Sequence, residues 1–256
     1  SYNSNIFAYS SDGINWTKGT LPSSKYWIHI CYGNNKFVAI CNESTLEYIY
    51  SMDGLTWTTN TFSISASHYW KNICFGNERF IITYQDSEDN DCYLYSYDAI
   101  SWKNDTLGKG INPSTIGYGN EKFVILSKDT KTNFYYSYDI TPYNNYAYQE
   151  SALPADIGLS RNIEYEFIEA GFKTGSMASK PSSSYWSSVC YGNDKFVALI
   201  ADNNVFAYSS DGITWTQGTL PVSDFWYMCY GKDKFVLVGN NRALYSYDGI
   251  NWNTGN

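Results

Sequence analysis

Apolar residues in this chain occur in short runs, which are separated by polar segments rich in Gly, Asn, Asp and Ser. The longest runs, such as FVALIA at residues 196–201, fall far short of the roughly 18 residues that a membrane-spanning helix needs. The spacing of the apolar residues shows almost no helical periodicity. Short apolar runs bounded by turn residues are typical of β-strands, so the pattern predicts an all-β protein.

Two short sequence blocks alternate along the chain and define an internal repeat of about 41 residues. The second block occurs five times, as in WIHICYGNNKFVAI from Trp27 and WSSVCYGNDKFVALI from Trp186. The first block occurs six times, as in AYSSDGINW and LYSYDGINW, and its copies end at Trp16, Trp57, Trp102, Tyr143, Trp215 and Trp252.

Each block contains a turn signal between two apolar segments. Asp-Gly in the first block and Gly-Asn in the second favour two-residue hairpin turns, because Gly and Asn accept positive φ. Two hairpins give four strands per unit, and four short strands repeated about every 40 residues are typical of a β-propeller. A β-solenoid or a β-prism is the alternative, although the repeats of these folds are usually shorter.

The number of copies predicts about six four-stranded blades in a single domain that spans residues 1–256. The step from Asp139 to Asp211 is longer than one period. The irregular segment at about residues 144–182 is therefore either a degenerate blade or an insertion, and five or seven blades remain open. The N-terminal hairpin stands alone, since no second block follows Trp252 to complete a blade with it.

Composition and charge narrow the class of partner. Aromatic residues make up 19% of the chain and charged residues only 16%, so the chain is expected to fold rather than to be disordered. The net charge is −8, and the 17 basic residues are scattered. A nucleic acid or an acidic membrane surface is therefore not expected as a partner, because a polyanion would be repelled.

The motif S-x-D-G-x-x-W of the first block resembles the Asp-box repeat of sialidases and related propellers, although the spacing from Asp to Trp is one residue shorter here. The resemblance implies that each Asp accepts hydrogen bonds from its own turn and that each Trp packs between blades. These structural Asp residues are Asp12, Asp53, Asp98, Asp139, Asp211 and Asp248. Core packing is also expected for the Trp residues that open the second block, with a sugar-stacking position at the rim as the alternative; they are Trp27, Trp70, Trp186 and Trp226.

The longer phrase W-x-x-V-x-Y-G-N-x-K-F-V followed by A-Y-S-x-D-G-x-x-W-T resembles repeats of bacteriophage tail-fibre and receptor-binding proteins and of some bacterial surface proteins. The resemblance covers nearly the whole chain apart from about residues 144–182. It implies display on a virion tail, or outside or on the surface of a cell.

Four of the six cysteines occupy one slot of the second block, where neighbouring copies are expected to lie too far apart for the roughly 7 Å between Cα atoms that a disulfide permits. We therefore expect buried free thiols and folding in a reducing cytoplasm. The four are Cys31, Cys74, Cys190 and Cys229.

Residues suited to catalysis or to metal binding are scarce. A sialidase needs three arginines around a carboxylate, and the chain has only Arg79, Arg161 and Arg242, two of which fall at repeat turns. His29 and His68 lack metal-ligand spacing, and the acidic loop QDSEDND at residues 85–91 lacks the order of an EF-hand. We expect neither an enzyme nor a metal or other cofactor.

Tyrosines near the break in the repeat are the predicted ligand-binding residues. Tyr143, Tyr146, Tyr148 and Tyr165 cluster in or beside the irregular segment, close to Asn and Gln. Flat aromatic faces beside amide groups suit a carbohydrate. The alternative is a decayed blade in which these tyrosines simply pack.

These features predict a non-catalytic recognition domain on a phage tail or a cell surface, without membrane insertion and as one part of a larger oligomeric fibre. Its partner would be a cell-surface carbohydrate or a protein receptor. The alternatives are a sialidase-like glycoside hydrolase and a structural or protein-interaction propeller. Arginines with paired carboxylates in a central pocket would favour the hydrolase, whereas a flat apolar face would favour the interaction propeller.

Overall fold

The computed structural model describes residues 4–11, 15–43, 45–64, 69–108, 110–127, 134–137, 172–177, 186–201, 203–239 and 242–254. Every regular element in these ranges is a β-strand. No helix in this part of the chain has the length and hydropathy needed to cross a membrane.

The strands form an N-terminal hairpin followed by five units of four strands each. The hairpin pairs β1 (Ser4–Tyr9) with β2 (Thr17–Lys25). The strands of units 1 to 5 are, in chain order, β3 (Trp27–Gly33), β4 (Lys36–Cys41), β5 (Glu47–Ser51) and β6 (Thr58–Thr61); β7 (Tyr69–Gly76), β8 (Arg79–Gln85), β9 (Asp91–Ser96) and β10 (Lys103–Gly108); β11 (Pro113–Gly119), β12 (Lys122–Ser127), β13 (Phe134–Ser137) and β14 (Phe172–Met177); β15 (Trp186–Gly192), β16 (Lys195–Ile200), β17 (Val205–Ser209) and β18 (Thr214–Thr219); and β19 (Phe225–Gly231), β20 (Lys234–Gly239), β21 (Arg242–Ser246) and β22 (Asn253–Thr254).

Consecutive strands of each unit pair antiparallel, which confirms the all-β prediction and the four-stranded blades of a propeller. Units 1, 2 and 5 form separate sheets, whereas units 3 and 4 merge into one eight-stranded sheet through a short parallel pairing of β14 with β18. The prediction of about six blades is wrong for the described residues, which form four large sheets. The count falls because two repeat units share one sheet and because the N-terminal hairpin contributes only two strands.

The irregular segment contributes one described element. Strand β14 pairs antiparallel with β13 and is the fourth strand of unit 3. Residues 138–171, which lie outside the described residues, therefore separate the third and fourth strands of this unit in the chain.

Consecutive units pack through a glycine of one unit and an aromatic ring of the next. The first strands of consecutive units lie side by side. A Cβ atom built on the last residue of the first strand would lie only 1.9 to 2.1 Å from the nearest ring carbon of the next unit, so the close approach needs glycine. The pairs are Gly33 with Phe75, Gly76 with Tyr118, Gly119 with Tyr191, and Gly192 with Tyr230.

Side-chain amides and apolar clusters reinforce the same junctions. Asn34, Asn120 and Asn193, in the Gly-Asn turns, donate from Nδ2 to backbone carbonyl oxygens of Tyr97, Ser210 and Tyr247 in the following unit. Each of the four large apolar clusters joins two consecutive units, and a fifth joins the N-terminal hairpin to unit 1. The core is thus divided among the junctions.

The Ser-x-Asp turns after the third strands share one hydrogen-bond pattern. In unit 4, the hydroxyl of Ser209 donates to Oδ1 of Asp211 at 2.8 Å, and the same oxygen accepts the backbone N–H groups of Ile213 and Thr214. Asp53, Asp98 and Asp248 accept the equivalent pairs of N–H groups. Asp12 and Asp139 lie outside the described residues.

Acid should destabilise the protein through these turns. The backbone N–H groups of Thr56 and Leu55 and the hydroxyl of Ser51 hold the pKa of Asp53 at about 2. Because the folded-state pKa is lowered, the stabilisation is present above the ordinary value of about 4 and is lost as the pH falls through about 2. In urea titrations at several pH values, the free energy of unfolding of Asp53→Asn should fall less steeply over this range than that of the wild type. Equal slopes would contradict the linkage.

Candidate functional site

A cavity of about 560 Å³ lies where the first strands of units 1 to 4 begin. A β-bulge near the beginning of each first strand, at the third residue in unit 2 and at the second residue in the other units, shapes this end of the molecule. A bulge leaves one residue without a partner in the neighbouring strand and redirects its side chain. The extra residues are Ile28, Lys71, Ser114, Ser187 and Trp226, and the first four of them line the cavity.

The bulge also separates Trp226 from the other Trp residues of the second block. Phe225, and not Trp226, begins the first strand of unit 5, so Trp226 occupies the bulge position and is 38% exposed. Trp70 and Trp186 lie directly before the bulge residues of their strands and are 3% and 9% exposed. The core prediction is therefore confirmed for these two residues and wrong for Trp226, because Trp226 lies three residues before Cys229 whereas Trp186 lies four residues before Cys190. The shorter spacing places Trp226 at the bulge.

Aromatic side chains form much of the cavity wall. Trp70 is held in place because its Nε1 donates to the carbonyl oxygen of Thr45 at 3.0 Å. Tyr69, directly before it, is 61% exposed and lines the cavity. Tyr26 is half-buried at the corresponding position of unit 1.

The charge of the cavity differs in sign from that of the whole protein. Lys71 lines it, and no Asp or Glu is among the lining residues of the described part of the chain. Burial lowers the pKa of His29, against an opposing hydrogen bond with the backbone of Lys71, so this imidazole is neutral at pH 7. The cavity can therefore accept a neutral polar group or an anion.

The two serine hydroxyl groups of the cavity donate hydrogen bonds to backbone carbonyl oxygens. Ser114 Oγ donates to the carbonyl oxygen of Trp186, and Ser187 Oγ donates to that of Leu199 at 3.3 Å. Asn42, also at the cavity, is exposed and carries an amide that can donate and accept hydrogen bonds. The cavity therefore offers aromatic rings for stacking, the Asn42 amide for hydrogen bonds and the Lys71 cation for a negatively charged group.

The residues predicted to bind carbohydrate, Tyr143, Tyr146, Tyr148 and Tyr165, lie outside the described residues, as does His68. The cavity residues Tyr69, Lys71 and His29 were not among them. The available signal was the bulge position, which changes from copy to copy inside an otherwise regular block and includes Lys71.

The described arginines do not form a cluster. The guanidinium carbon of Arg79 lies 5.8 Å from the ring centroid of Phe123 at the junction of units 2 and 3. Arg242 belongs to β21 of unit 5, and Arg161 lies outside the described residues. Neither described arginine lines the cavity.

All six cysteines are free. Burial raises the pKa of Cys31 and of Cys190 to about 12, despite hydrogen bonds to backbone groups, so these thiols are inert at neutral pH. The expectation of free thiols is confirmed, but the expectation that the four cysteines of the shared slot are buried is wrong: Cys31, Cys74 and Cys190 are half-buried and Cys229 is exposed. Unit 5 has no following unit, among the described ones, to cover this residue.

No metal-binding group is found within the described ranges. No cluster of three or more His, Cys, Asp or Glu residues there has the geometry for a metal ion. In the acidic loop, Oδ1 of Asp86 accepts the backbone N–H groups of Glu88 and Asn90 at 2.9 Å each. The loop is thus closed by its own hydrogen bonds.

Comparison with known proteins identifies the fold. Neither a protein-family model nor the sequence of a curated protein matches the chain. Among solved structures, YCF48 bound to D1 peptide is 13% identical, with a TM-score of 0.57 over 99% of this chain and 72% of the other. A streptogramin B lyase is 8% identical, with a TM-score of 0.67 over 98% and 76% of the two chains. A chain of the nidogen/laminin complex is 7% identical, with a TM-score of 0.60 over 90% and 79%. These likenesses support the fold alone: the chain is a β-propeller.

Proposed function

We propose that this propeller is a non-catalytic recognition domain that binds a segment of a partner protein in the cavity at the beginning of the first strands. The observation that carries the proposal is the bulge, which turns one side chain from each of four consecutive units toward a single cavity. Convergent side chains on rigid strands are what a binding site requires.

The chemistry of the wall favours a peptide with an aromatic or a planar group and a carboxylate. The exposed ring of Tyr69 offers a stacking surface, and Lys71 offers a cation in a cavity whose described lining has no acidic side chain. The structural likeness to YCF48 bound to a peptide and to the nidogen/laminin complex is consistent with such a partner. The hydroxyls of Ser114 and Ser187 donate to backbone carbonyl oxygens, which is consistent with a non-catalytic role.

A carbohydrate is the second candidate ligand. Tyr26 and Tyr69 lie at equivalent positions of neighbouring units, and the exposed amide of Asn42 lies at the same cavity. Aromatic faces beside an amide suit a sugar. We propose display on a phage tail fibre or a cell surface because the repeat phrase resembles those of such proteins. Weak sites would gain affinity there from the many copies of the domain.

Panning a library of random linear peptides against the protein tests the first candidate. We expect enriched peptides whose affinity falls at least about tenfold in Tyr69→Ala and Lys71→Ala, because each change removes one wall of the cavity. Tyr247→Ala is the matched control: Tyr247 is 58% exposed but belongs to a turn at the opposite end of the strands.

A glycan array run on the same four proteins separates the two candidates. Glycan binding that depends on Tyr69, with no peptide enriched, would mean that the ligand of the cavity is a carbohydrate and not a peptide. Peptide binding that is equal in all four proteins would show that the cavity is not the site.

A further inference from the structure

A second cavity, of about 320 Å³, lies between the N-terminal hairpin and unit 1, and we call it the hairpin cavity. Three buried residues of its wall, Leu21, Ala39 and Ile49, also form the apolar core between the hairpin and unit 1. An apolar cavity of about 150 Å³ is enough to hold a benzene molecule. The hairpin cavity is therefore large enough for an aromatic group.

A small residue in the sheet of unit 1 leaves room for this cavity. Ala39 stands opposite Ile30, and both line the cavity. The residue at the place of Ala39 is Ile82 in unit 2, Ile125 in unit 3, Ala198 in unit 4 and Leu237 in unit 5. Ile30 is 59% exposed, whereas its counterparts Ile73 and Ile116 are 5% and 4% exposed. The hairpin cavity thus combines a buried wall with an apolar side chain that a ligand can cover.

Aromatic rings form part of the wall. Phe7, Trp27 and Trp57 line the hairpin cavity. The ring centroids of Phe7 and Trp57 lie 5.9 Å apart, and the two rings meet edge to face. Aromatic pairs contribute stabilisation beyond the area that they bury. The wall therefore favours a planar aromatic ligand over an aliphatic one.

The charges of the hairpin cavity are balanced. Lys25 lines it, and Nζ of Lys25 lies 3.0 Å from Oε2 of Glu43 and 3.9 Å from Oε2 of Glu47. His29, which also lines it, is neutral at pH 7 because burial lowers its pKa. The described lining of the cavity contains no Asp or Glu. A neutral ligand therefore fits better than a charged one.

The hairpin cavity adjoins the cavity of the proposed peptide site, which we call the first cavity. Ile28 and His29, consecutive residues of β3, line both cavities. His29 is also hydrogen-bonded to the backbone of Lys71, whose side chain lines the first cavity. One extended ligand can therefore occupy both cavities.

We propose that the hairpin cavity binds a neutral aromatic side chain of the same partner segment whose carboxylate occupies the first cavity. The inference rests on the proposed function for the partner and on the hairpin cavity for the aromatic group. The segment carries a Trp or a Phe close in sequence to an acidic residue. Its ring covers Ile30 and Ile6, which is 52% exposed, and so removes apolar surface from water.

N-acetyl-L-tryptophan amide tests the hairpin cavity by itself, because this probe has the aromatic group and lacks a carboxylate. The chain has two histidines, so the imidazole C–H resonances of a His68→Gln protein belong to His29 alone. We expect these resonances to shift saturably with the probe, with a dissociation constant of about 1 mM.

Two substitutions, made in the His68→Gln protein, place the probe. Ala39→Phe fills the cavity and should weaken binding at least about tenfold, and Ile30→Gln should weaken it at least about threefold because it makes the mouth polar. Unchanged melting temperatures would show that both variants fold. Ile100→Gln is the matched control, since Ile100 is 48% exposed but belongs to a turn of unit 2; it should bind as the parent protein does.

Acetylated peptide amides of the sequences Trp-Asp, Trp-Gly-Asp and Trp-Gly-Gly-Asp test the link between the two cavities. At least one should bind about tenfold more tightly than the probe, and replacing its Asp by Asn should remove the gain.

Three results would overturn the inference. The first is no shift of the His29 resonances at about 5 mM probe, which would leave the proposed function standing on Tyr69 and Lys71. The second is unchanged binding of the probe in both Ala39→Phe and Ile30→Gln. The third is binding of the probe without a gain for any peptide, since the hairpin cavity would then take a free aromatic molecule and not a side chain of the partner.

Discussion

Trp215→Ala should lower the free energy of unfolding by about 3–5 kcal/mol, a large part of the stability of a typical domain. The indole is 1% exposed and packs in the apolar cluster that joins units 3 and 4. Its Nε1 donates to the carbonyl oxygen of Gly212 at 3.2 Å. Removing the ring leaves both a cavity and an unpaired carbonyl. Urea unfolding monitored by far-ultraviolet circular dichroism measures the change.

Trp16→Ala is the control for this prediction, since the two residues share their local sequence and differ in burial. Trp16 is 64% exposed, so its loss should change the free energy of unfolding by less than about 0.5 kcal/mol. Similar losses from both variants would mean that the local turn, and not the junction, determines the contribution of this Trp.

Gly192→Val should cost about 3 kcal/mol or more, because a side chain at this position meets the Tyr230 ring across the junction of units 4 and 5. The closest ring carbon lies 2.1 Å from the ideal Cβ position. Either the ring leaves its place or the two units separate. Thermal unfolding of the variant is the simplest measurement.

Gly231→Val is the matched substitution at the end of the series. No atom lies within 4 Å of the ideal Cβ position, so the free energy of unfolding should stay within about 0.5 kcal/mol of the wild type. If both valines destabilise equally, then the backbone of the aromatic-glycine pair, and not packing between units, requires glycine.

The repeat blocks predicted most of the local structure. Two hairpins per unit give four antiparallel strands, as found. The expected two-residue turn is confirmed in the second block, where Asn34 and Asn35, both with positive φ, connect Gly33 with Lys36. It is wrong for the Asp-Gly block, where residues 52–57 connect β5 with β6. These features depend on neighbouring residues, so the sequence carries them directly. The Ser-x-Asp motif indicated a turn in which the Asp oxygens accept backbone N–H groups, and Asp211 does so.

The blade count and the site depend on longer-range geometry. Counting blocks could not reveal that β14 and β18 pair across two units. The bulge itself is equally hidden, although the spacing to the slot cysteine is a local difference between two Trp residues: Trp226 lies three residues before Cys229 and Trp186 four before Cys190. Trp226 lies at the bulge and Trp186 directly before it. The sequence therefore did not predict Lys71 and Tyr69 as site residues. The predicted tyrosines of the irregular segment stay a prediction.

The end of the first strand and the bulge residue have different roles within each repeat. The glycine and the aromatic ring at the end of the first strand hold the units together, whereas the bulge residue contributes little to that contact. Its five occurrences are an aliphatic residue, a cation, two hydroxyls and an indole: Ile28, Lys71, Ser114, Ser187 and Trp226. Substitution at these positions can therefore change the binding specificity while the stability of the scaffold is retained. The binding site can thus adapt to a partner whose sequence changes.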